Sequence, residues 1–184
     1  GGLLEHPDFG GGRRILNPDA IETTLAYVDV RTGDLLERHE IATGGGLSLR
    51  HLDVARDGTI IIGAQVANGP VGAQALVYRH RRQRSLDTVA LPPEAQQGLS
   101  GYVSSVACDR DGAFVAVTSS KGARAIVLDV ASGKLVHTHR LDDVSGIAPT
   151  AMPAEFLMTA GTGVIERVYE KDDARPIAAS TSWS

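Results

Sequence analysis

The first candidate for chemistry is a His-Pro-Asp segment near the start of the sequence, where His6 and Asp8 are separated by one proline. An imidazole nitrogen and a carboxylate oxygen are common metal ligands, but a site needs at least a third donor from elsewhere in the chain. Without one, Pro7 restricts the backbone and Asp8 accepts hydrogen bonds within a surface loop. We predict His6 and Asp8 as ligand-binding or metal-binding residues, with the plain loop as the alternative.

A second candidate group consists of Arg50, His51 and Tyr102. An arginine at the edge of a sheet either pairs with a carboxylate or binds an anion, and His51 is a candidate metal ligand together with His6 and Asp8. Since side chains alternate along a strand, we expect only one of Arg50 and His51 to face a ligand. Tyr102 is assigned to the matching position of the next repeat, where its ring either packs against a neighbouring sheet or presents a hydroxyl.

Composition argues against several other classes of site. The 184 residues include 22 acidic and 18 basic side chains, a net charge of −4, so nucleic acid is not expected as a partner. The basic run 79–84 is predicted to be an exposed turn. The single cysteine, Cys108, allows no internal disulfide and is predicted to be buried. No apolar stretch approaches the roughly 20 residues of a membrane span, and no recognised catalytic or phosphate-binding motif is present.

Repeated hairpins are the predicted secondary structure that carries these residues. Residues 26–36 and 126–136 share the pattern of a strand, an Asp-Val-x-Thr/Ser-Gly turn and a second strand, and 76–86 is a degenerate copy halfway between them. Glycine tolerates the positive φ of such turns, and the flanking residues are rich in β-branched types. These copies are predicted to be the outer hairpins of a repeating unit.

A second kind of hairpin alternates with the first. Residues 52–62 and 106–116 each read as a strand, an Asp-Gly turn and a strand, and 148–159 is a third copy with a different turn. Two hairpins form a four-stranded antiparallel unit of about 50 residues, which is typical of a propeller blade. No helical periodicity competes with this pattern.

The predicted fold is therefore all-β, a partial β-propeller of about three and a half four-stranded antiparallel blades. Its predicted parts are a loop at 1–24, the outer hairpin of an incomplete blade at 25–41, blades at 49–91 and 103–141, and a last blade at 146–178. Closed propellers have about four to eight blades. We therefore expect the chain to be the C-terminal part of one propeller domain, with the missing N-terminal half as its partner.

Several segments resemble the bacterial DUF1513 family, and together they cover nearly the whole chain. They are residues 1–8 with 16–17, and then 25–29, 49–52 and 101–107. The resemblance implies a propeller of the YVTN or quinoprotein-like type that is exported to the periplasm. It also implies a link to iron acquisition, because members tend to be encoded beside imelysin-like and iron-uptake proteins.

Three functions are consistent with these residues, and the sequence neither chooses among them nor names a cofactor. The leading hypothesis is a periplasmic binding or scaffold protein that uses the rim of the propeller channel to hold a small molecule, a metal complex or a periplasmic protein. The alternative is a metal-dependent propeller enzyme, a hydrolase or an oxidoreductase, with His6, Asp8 and His51 as ligands. The third is a purely structural half of a ring.

Overall fold

The computed structural model describes residues 15–17, 20, 22–41, 46–67, 70, 72 and 74–169, together with the backbone of 175–179. Within these residues the chain forms fourteen β-strands and one short α-helix. In chain order the elements are β1 (Thr23–Val28), β2 (Leu35–Ile41), β3 (Leu47–Val54), β4 (Ile60–Val66), β5 (Val77–His80), β6 (Asp87–Thr88), α1 (Pro93–Gly98), β7 (Ser105–Cys108), β8 (Phe114–Ser119), β9 (Arg124–Asp129), β10 (Leu135–Arg140), β11 (Val144–Pro149), β12 (Glu155–Ala160), β13 (Val164–Tyr169) and β14 (Arg175–Ala179).

The strands form four antiparallel sheets. β1 and β2 form a two-stranded sheet, here called the leading hairpin, and β3 to β6, β7 to β10 and β11 to β14 form the first, second and third blades. The opening strands of the three blades lie side by side, β3 against β7 and β7 against β11. Four-stranded antiparallel sheets whose first strands lie side by side in this way are typical of the blades of a propeller. The predicted all-β fold, a partial propeller, is confirmed.

The outer turns of the leading hairpin and the second blade share one geometry. The N–H of Gly33 donates to the carbonyl of Asp29 at 2.8 Å, and the N–H of Gly133 donates to the carbonyl of Asp129 at the same distance. In each turn the aspartate side chain also accepts a backbone N–H from three residues later. Both glycines have positive φ, 80° and 71°, which other residues adopt only at a cost. The repeated Thr/Ser-Gly pairs therefore predict these turns correctly.

The inner turns of the first two blades are likewise equivalent. Gly58 and Gly112 have φ of 84° and 75°. Their N–H groups donate to the carbonyls of Ala55 at 2.9 Å and Asp109 at 3.0 Å. The two Asp-Gly pairs thus occupy corresponding places in successive blades, as predicted. In the third blade, whose turn contains no such pair, Thr150 N–H closes the hairpin on the carbonyl of Glu155 at 3.1 Å.

Apolar side chains fill the space between neighbouring sheets. One buried cluster joins the leading hairpin to the first and second blades, and another joins the second and third blades. The first and second blades approach closely at Gly63, where a Cβ atom would lie 2.2 Å from Cγ1 of Val103. Only a residue without a side chain allows this spacing, so Gly63 determines how tightly the two blades pack.

Aspartate side chains add hydrogen bonds between blades. Asp53 Oδ2 accepts the backbone N–H of Cys108 at 2.8 Å, and Asp109 Oδ2 accepts that of Ala154 at 3.0 Å. Each bond links one blade to the next along the chain. Cys108 is buried, as the sequence predicts.

Helix α1 departs from the strand-only prediction. It lies in the connection between the first and second blades and begins with Pro93, followed by Glu94 in its first turn. Proline favours the first helical position and an acidic side chain favours the first turn, but six residues are too few to show a helical period in the sequence. No helix in the described part of the chain is long and apolar enough to cross a membrane.

The leading hairpin uses only one of its faces. Thr23 and Leu25 are buried against the first blade, whereas Val28 and Leu35, on the rest of its surface, are more than half exposed. The Thr23 hydroxyl donates to the carbonyl of Leu47 at the start of β3. The hairpin is therefore attached to the first blade and leaves apolar surface in water.

Candidate functional site

A cavity of about 370 Å³, here called the mouth pocket, lies where the opening strands of the blades begin and the second strands end. All three blades contribute to it. Its lining residues are Arg50, His51, Gln65, Tyr102, Ser104, Ser120 and Ser145. Three sequence-predicted site residues, Arg50, His51 and Tyr102, are thus brought into one pocket.

A β-bulge brings Arg50 and His51 to the same pocket. In the pairing of β3 with β4, Leu49 is opposite Ala64 and His51 is opposite Gly63, so Arg50 is the extra residue. A bulge interrupts the alternation of side chains and redirects them locally. The expectation that only one of Arg50 and His51 could face a ligand is therefore wrong, because it assumed a regular strand.

The pocket follows the repeat of the blades. In each blade one backbone N–H donates across the inner turn to the start of the second strand, and the donors are those of Ala55, Asp109 and Thr150. Arg50, Ser104 and Ser145 each lie five residues before the donor of their own blade. Ser145 is also the extra residue of a bulge, in the pairing of β11 with β12. The sequence assignment of Tyr102 to the position of Arg50 is thus wrong by two residues. It compared the strands without aligning their turns, which place Ser104 there instead.

Tyr102 reaches the pocket through contacts with the first blade. It forms an isolated antiparallel bridge with Gln65, and the Gln65 side chain donates to the carbonyl of Val103 at 2.9 Å. The N–H of Val66 donates to the carbonyl of Gly101 at 2.8 Å. Lys121 Nζ lies 4.6 Å from the centre of the Tyr102 ring, within cation–π range. The Tyr102 ring is half-buried, and Lys121 adds a second cationic group to that of Arg50.

The lining is cationic and rich in hydroxyl groups. The hydroxyl of Ser104 lies 3.1 Å from that of Ser120 and accepts the Ser120 backbone N–H at 2.9 Å. Burial and then the neighbouring Arg50 guanidinium lower the pKa of His51, which keeps its imidazole neutral at pH 7. Among the described residues that line the pocket, none is a carboxylate. One guanidinium, several hydroxyls and a neutral imidazole form a set of groups suited to an anion.

The remaining sequence predictions have different outcomes. His6 and Asp8 lie outside the described residues, so their proposed metal site with His51 stays a prediction. Within the described residues, no group of three metal-donor side chains includes His51. The predicted exposed turn at 79–84 is correct only in part. Arg81 and Arg82 are exposed in the turn before β6, whereas Arg79 and His80 belong to β5 and His80 is buried.

Sequence reasoning missed the polar residues Gln65, Ser104, Ser120 and Ser145. Serine is common in loops and strands, so its identity alone carries no signal. An alignment of the blades on their inner turns would have placed Ser104 and Ser145 at the position of Arg50.

Solved structures with a similar fold are WD40 and related propellers. The C-terminal WD40 domain of Sif2 has 17% identity and a TM-score of 0.57, with 84% of this chain and 41% of that chain covered. Hsv2p of Kluyveromyces lactis has 16% identity and a TM-score of 0.52, with 93% and 49% covered. A chain of the mitotic checkpoint complex has 20% identity and a TM-score of 0.50, with 71% and 37% covered. Such identities show the fold alone, and this chain spans less than half the length of each of them.

Among curated proteins, the comparison finds none that matches this chain. A family model described as "Protein of unknown function (DUF1513)" matches residues 1–184. That range includes the hairpin repeats and the segments on which the resemblance rests. The chain therefore belongs to the DUF1513 family.

Proposed function

We propose that this protein is a ligand-binding propeller that holds a small anion, a carboxylate or a phosphate group, in its mouth pocket. A propeller of this family is compatible with a binding or scaffold role, and the proposal makes that role specific. The observation that carries it is the bulge at Arg50, which directs a guanidinium and a neutral imidazole into one cavity. A volume of about 370 Å³ suits a small molecule and is too small for a folded partner.

The chemistry of the lining favours an anion over a cation. A guanidinium offers paired N–H donors in the geometry that a carboxylate or a phosphate accepts. The hydroxyls of Ser104, Ser120 and Ser145 can add neutral donors around the same ligand. With Lys121 over the Tyr102 ring, a second positive charge stands close to this lining.

Isothermal titration calorimetry with inorganic phosphate and with citrate tests the proposal. We expect the wild-type chain to bind at least one of these anions and Arg50→Ala to bind it about 10- to 150-fold more weakly, since a hydrogen bond to a charged group contributes about 1.5–3 kcal/mol. Arg56→Ala is the matched control, because Arg56 is an exposed arginine in the turn after β3 that does not line the pocket.

NMR titration of His51 gives an independent reading. The guanidinium of Arg50 contributes to the lowered pKa of His51. An anion bound between these side chains should offset that positive charge and raise the pKa of His51 in the wild type. No binding of either anion, or equal affinity in Arg50→Ala and Arg56→Ala, would contradict the proposal.

Two further parts of the proposal concern the whole protein. The exposed apolar side chains of the leading hairpin support the view that more blades complete the ring before β1.

The family resemblance supports a periplasmic location, a link to iron acquisition and a YVTN or quinoprotein-like subtype. Fractionation of cells that produce the full-length protein tests the location, and a cytoplasmic pool alone would contradict it.

A further inference from the structure

A polar cluster lies between the leading hairpin and the first blade, on outer strands that the mouth pocket does not use. Glu37 and His39 stand two residues apart on β2 and so share one face of that strand. His80, on β5 of the first blade, faces them and is almost completely buried. The rings of His39 and His80 have centroids 4.1 Å apart.

We propose that Glu37, His39 and His80 bind a divalent first-row transition-metal ion of the Zn²⁺ type. One donor atom from each of the three side chains lies within 4.8 Å of the other two. A tetrahedral ion with bonds of about 2.0–2.1 Å holds its ligand atoms about 3.4 Å apart, so closure needs only small side-chain movements. Two imidazoles and one carboxylate are a ligand set that such ions use.

Hydrogen bonding prepares His80 to act as a ligand. Its Nε2 lies 3.0 Å from the carbonyl of Arg84, which can only accept, so Nε2 carries the proton. The lone pair of neutral His80 is then on Nδ1, which accepts the hydroxyl of Tyr27 at 2.7 Å. Metal-binding histidines are commonly oriented by a carbonyl on their second nitrogen in this way. On metal binding, Nδ1 of His80 would exchange its hydrogen bond from the Tyr27 hydroxyl for a bond to the ion. The phenol oxygen of Tyr27 would then lie beside the ion as a fourth donor.

Glu37 is held as a carboxylate by hydrogen bonds to both of its oxygens. Its Oε1 pairs with Arg82 Nε at 2.9 Å, and its Oε2 accepts the N–H of Gln83 at 3.2 Å and lies 3.2 Å from His39 Nε2. Arg82 can keep Oε1 while Oε2 binds the ion. The cluster thus already contains both the ligands and the groups that orient them.

The repeat supplies an internal comparison. His139 stands on β10 of the second blade at the position of His39, with the same spacing from its outer turn. Its Nε2 lies 2.8 Å from Glu166 Oε2 of the third blade. A histidine that faces the next sheet is therefore a recurring contact. Among the described residues, a third donor within reach joins it only at His39.

Isothermal titration calorimetry of the metal-free chain with Zn²⁺ at pH 7.5 tests this site. We expect one equivalent of Zn²⁺ to bind to the wild type. His39→Ala should weaken binding at least about 10-fold, since even the loss of a residue that merely orients a ligand costs about 10- to 100-fold. The control His139→Ala should bind as the wild type does. Cobalt should give the visible absorption of a tetrahedral complex in the wild type and lose it in His39→Ala.

Three results would overturn the proposal. The first is the absence of Zn²⁺ and Co²⁺ binding, which would leave the cluster a hydrogen-bonded contact only. The second is equal binding by His39→Ala and His139→Ala. The third is binding that survives His39→Ala but is lost in His6→Ala or His51→Ala, which would favour the metal site predicted from the sequence. If His39→Ala fails to fold, Glu37→Gln, which keeps the shape of the side chain, takes its place, and Arg50→Ala should leave metal binding unchanged.

Discussion

Replacement of Gly63 by alanine tests the packing that holds the mouth pocket together. A Cβ atom at this position would lie 2.2 Å from Cγ1 and 2.9 Å from Cβ of Val103, and 3.0 Å from Cγ2 of Val106. Carbon atoms in contact are about 3.5–4.0 Å apart, so with Val103 in its present rotamer the first and second blades would have to separate by about 1 Å or more. Because Gly63 pairs with His51 across β3 and β4, the shift would also move His51 relative to Tyr102.

The expected loss of stability follows from two opposing effects. Overpacking of a tight interface costs about 1–3 kcal/mol. Alanine in place of a strand glycine otherwise gains about 0.5–1 kcal/mol through the smaller entropy of the unfolded chain. A change of the Val103 rotamer would remove the contact with Cγ1 but leave the contact with Cβ. We expect a net loss of about 1–2 kcal/mol, which corresponds to a fall in Tm of about 2–8 °C for a chain of this size.

Urea unfolding followed by circular dichroism measures the effect in Gly63→Ala, Val103→Ala and the double variant. In the double variant the smaller side chain at 103 makes room for the new methyl group. The two losses should therefore not add, and the coupling should favour the double variant by about 1 kcal/mol. A Gly63→Ala variant as stable as the wild type, or strictly additive losses, would show that the blades do not pack at this spacing.

Two further predictions use shifted pKa values. Hydrogen bonds from Arg82 and from the Gln83 N–H lower the pKa of Glu37 to about 2, against about 4.5 in the unfolded chain. The ionised Glu37 side chain therefore stabilises the fold fully above pH 4.5, and this stabilisation is lost as the pH falls towards 2. The stability difference between wild type and Glu37→Gln, from urea midpoints across this range, should shrink with falling pH, and a constant difference would refute the ion-pair role. Burial, followed by the charges of Asp53 and Asp109, raises the pKa of the Cys108 thiol to about 12. A thiol reagent at pH 8 should therefore label Cys108 only in urea, and rapid labelling of the folded chain would contradict the burial of this residue.

Much of the fold could be predicted from the sequence because the relevant forces are local. Gly33 and Gly133 must adopt positive φ within their own turns, and the apolar strands beside them alternate with a period of two. The spacing of such hairpins gives the blade and its repeat. Arg50 and His51 could be selected as site residues for the same reason, since their place before an inner turn is visible in the chain.

Other features depend on contacts between residues far apart in sequence. The bulge at Arg50 arises from the pairing of β3 with β4, and no residue type in the sequence marks it. The convergence of Ser104 and Ser145 on Arg50 depends on how three blades stack.

The cluster of Glu37, His39 and His80 is the clearest case of a site decided by the tertiary structure. Its members are polar residues of ordinary strands, and the third is separated from the first two by an entire hairpin. The hairpins and their order could be predicted from the chain alone, because turn geometry and side-chain alternation are properties of neighbouring residues. Only the packing of one sheet on the next decided which side chains meet, because the distance between two sheets depends on all the side chains buried between them.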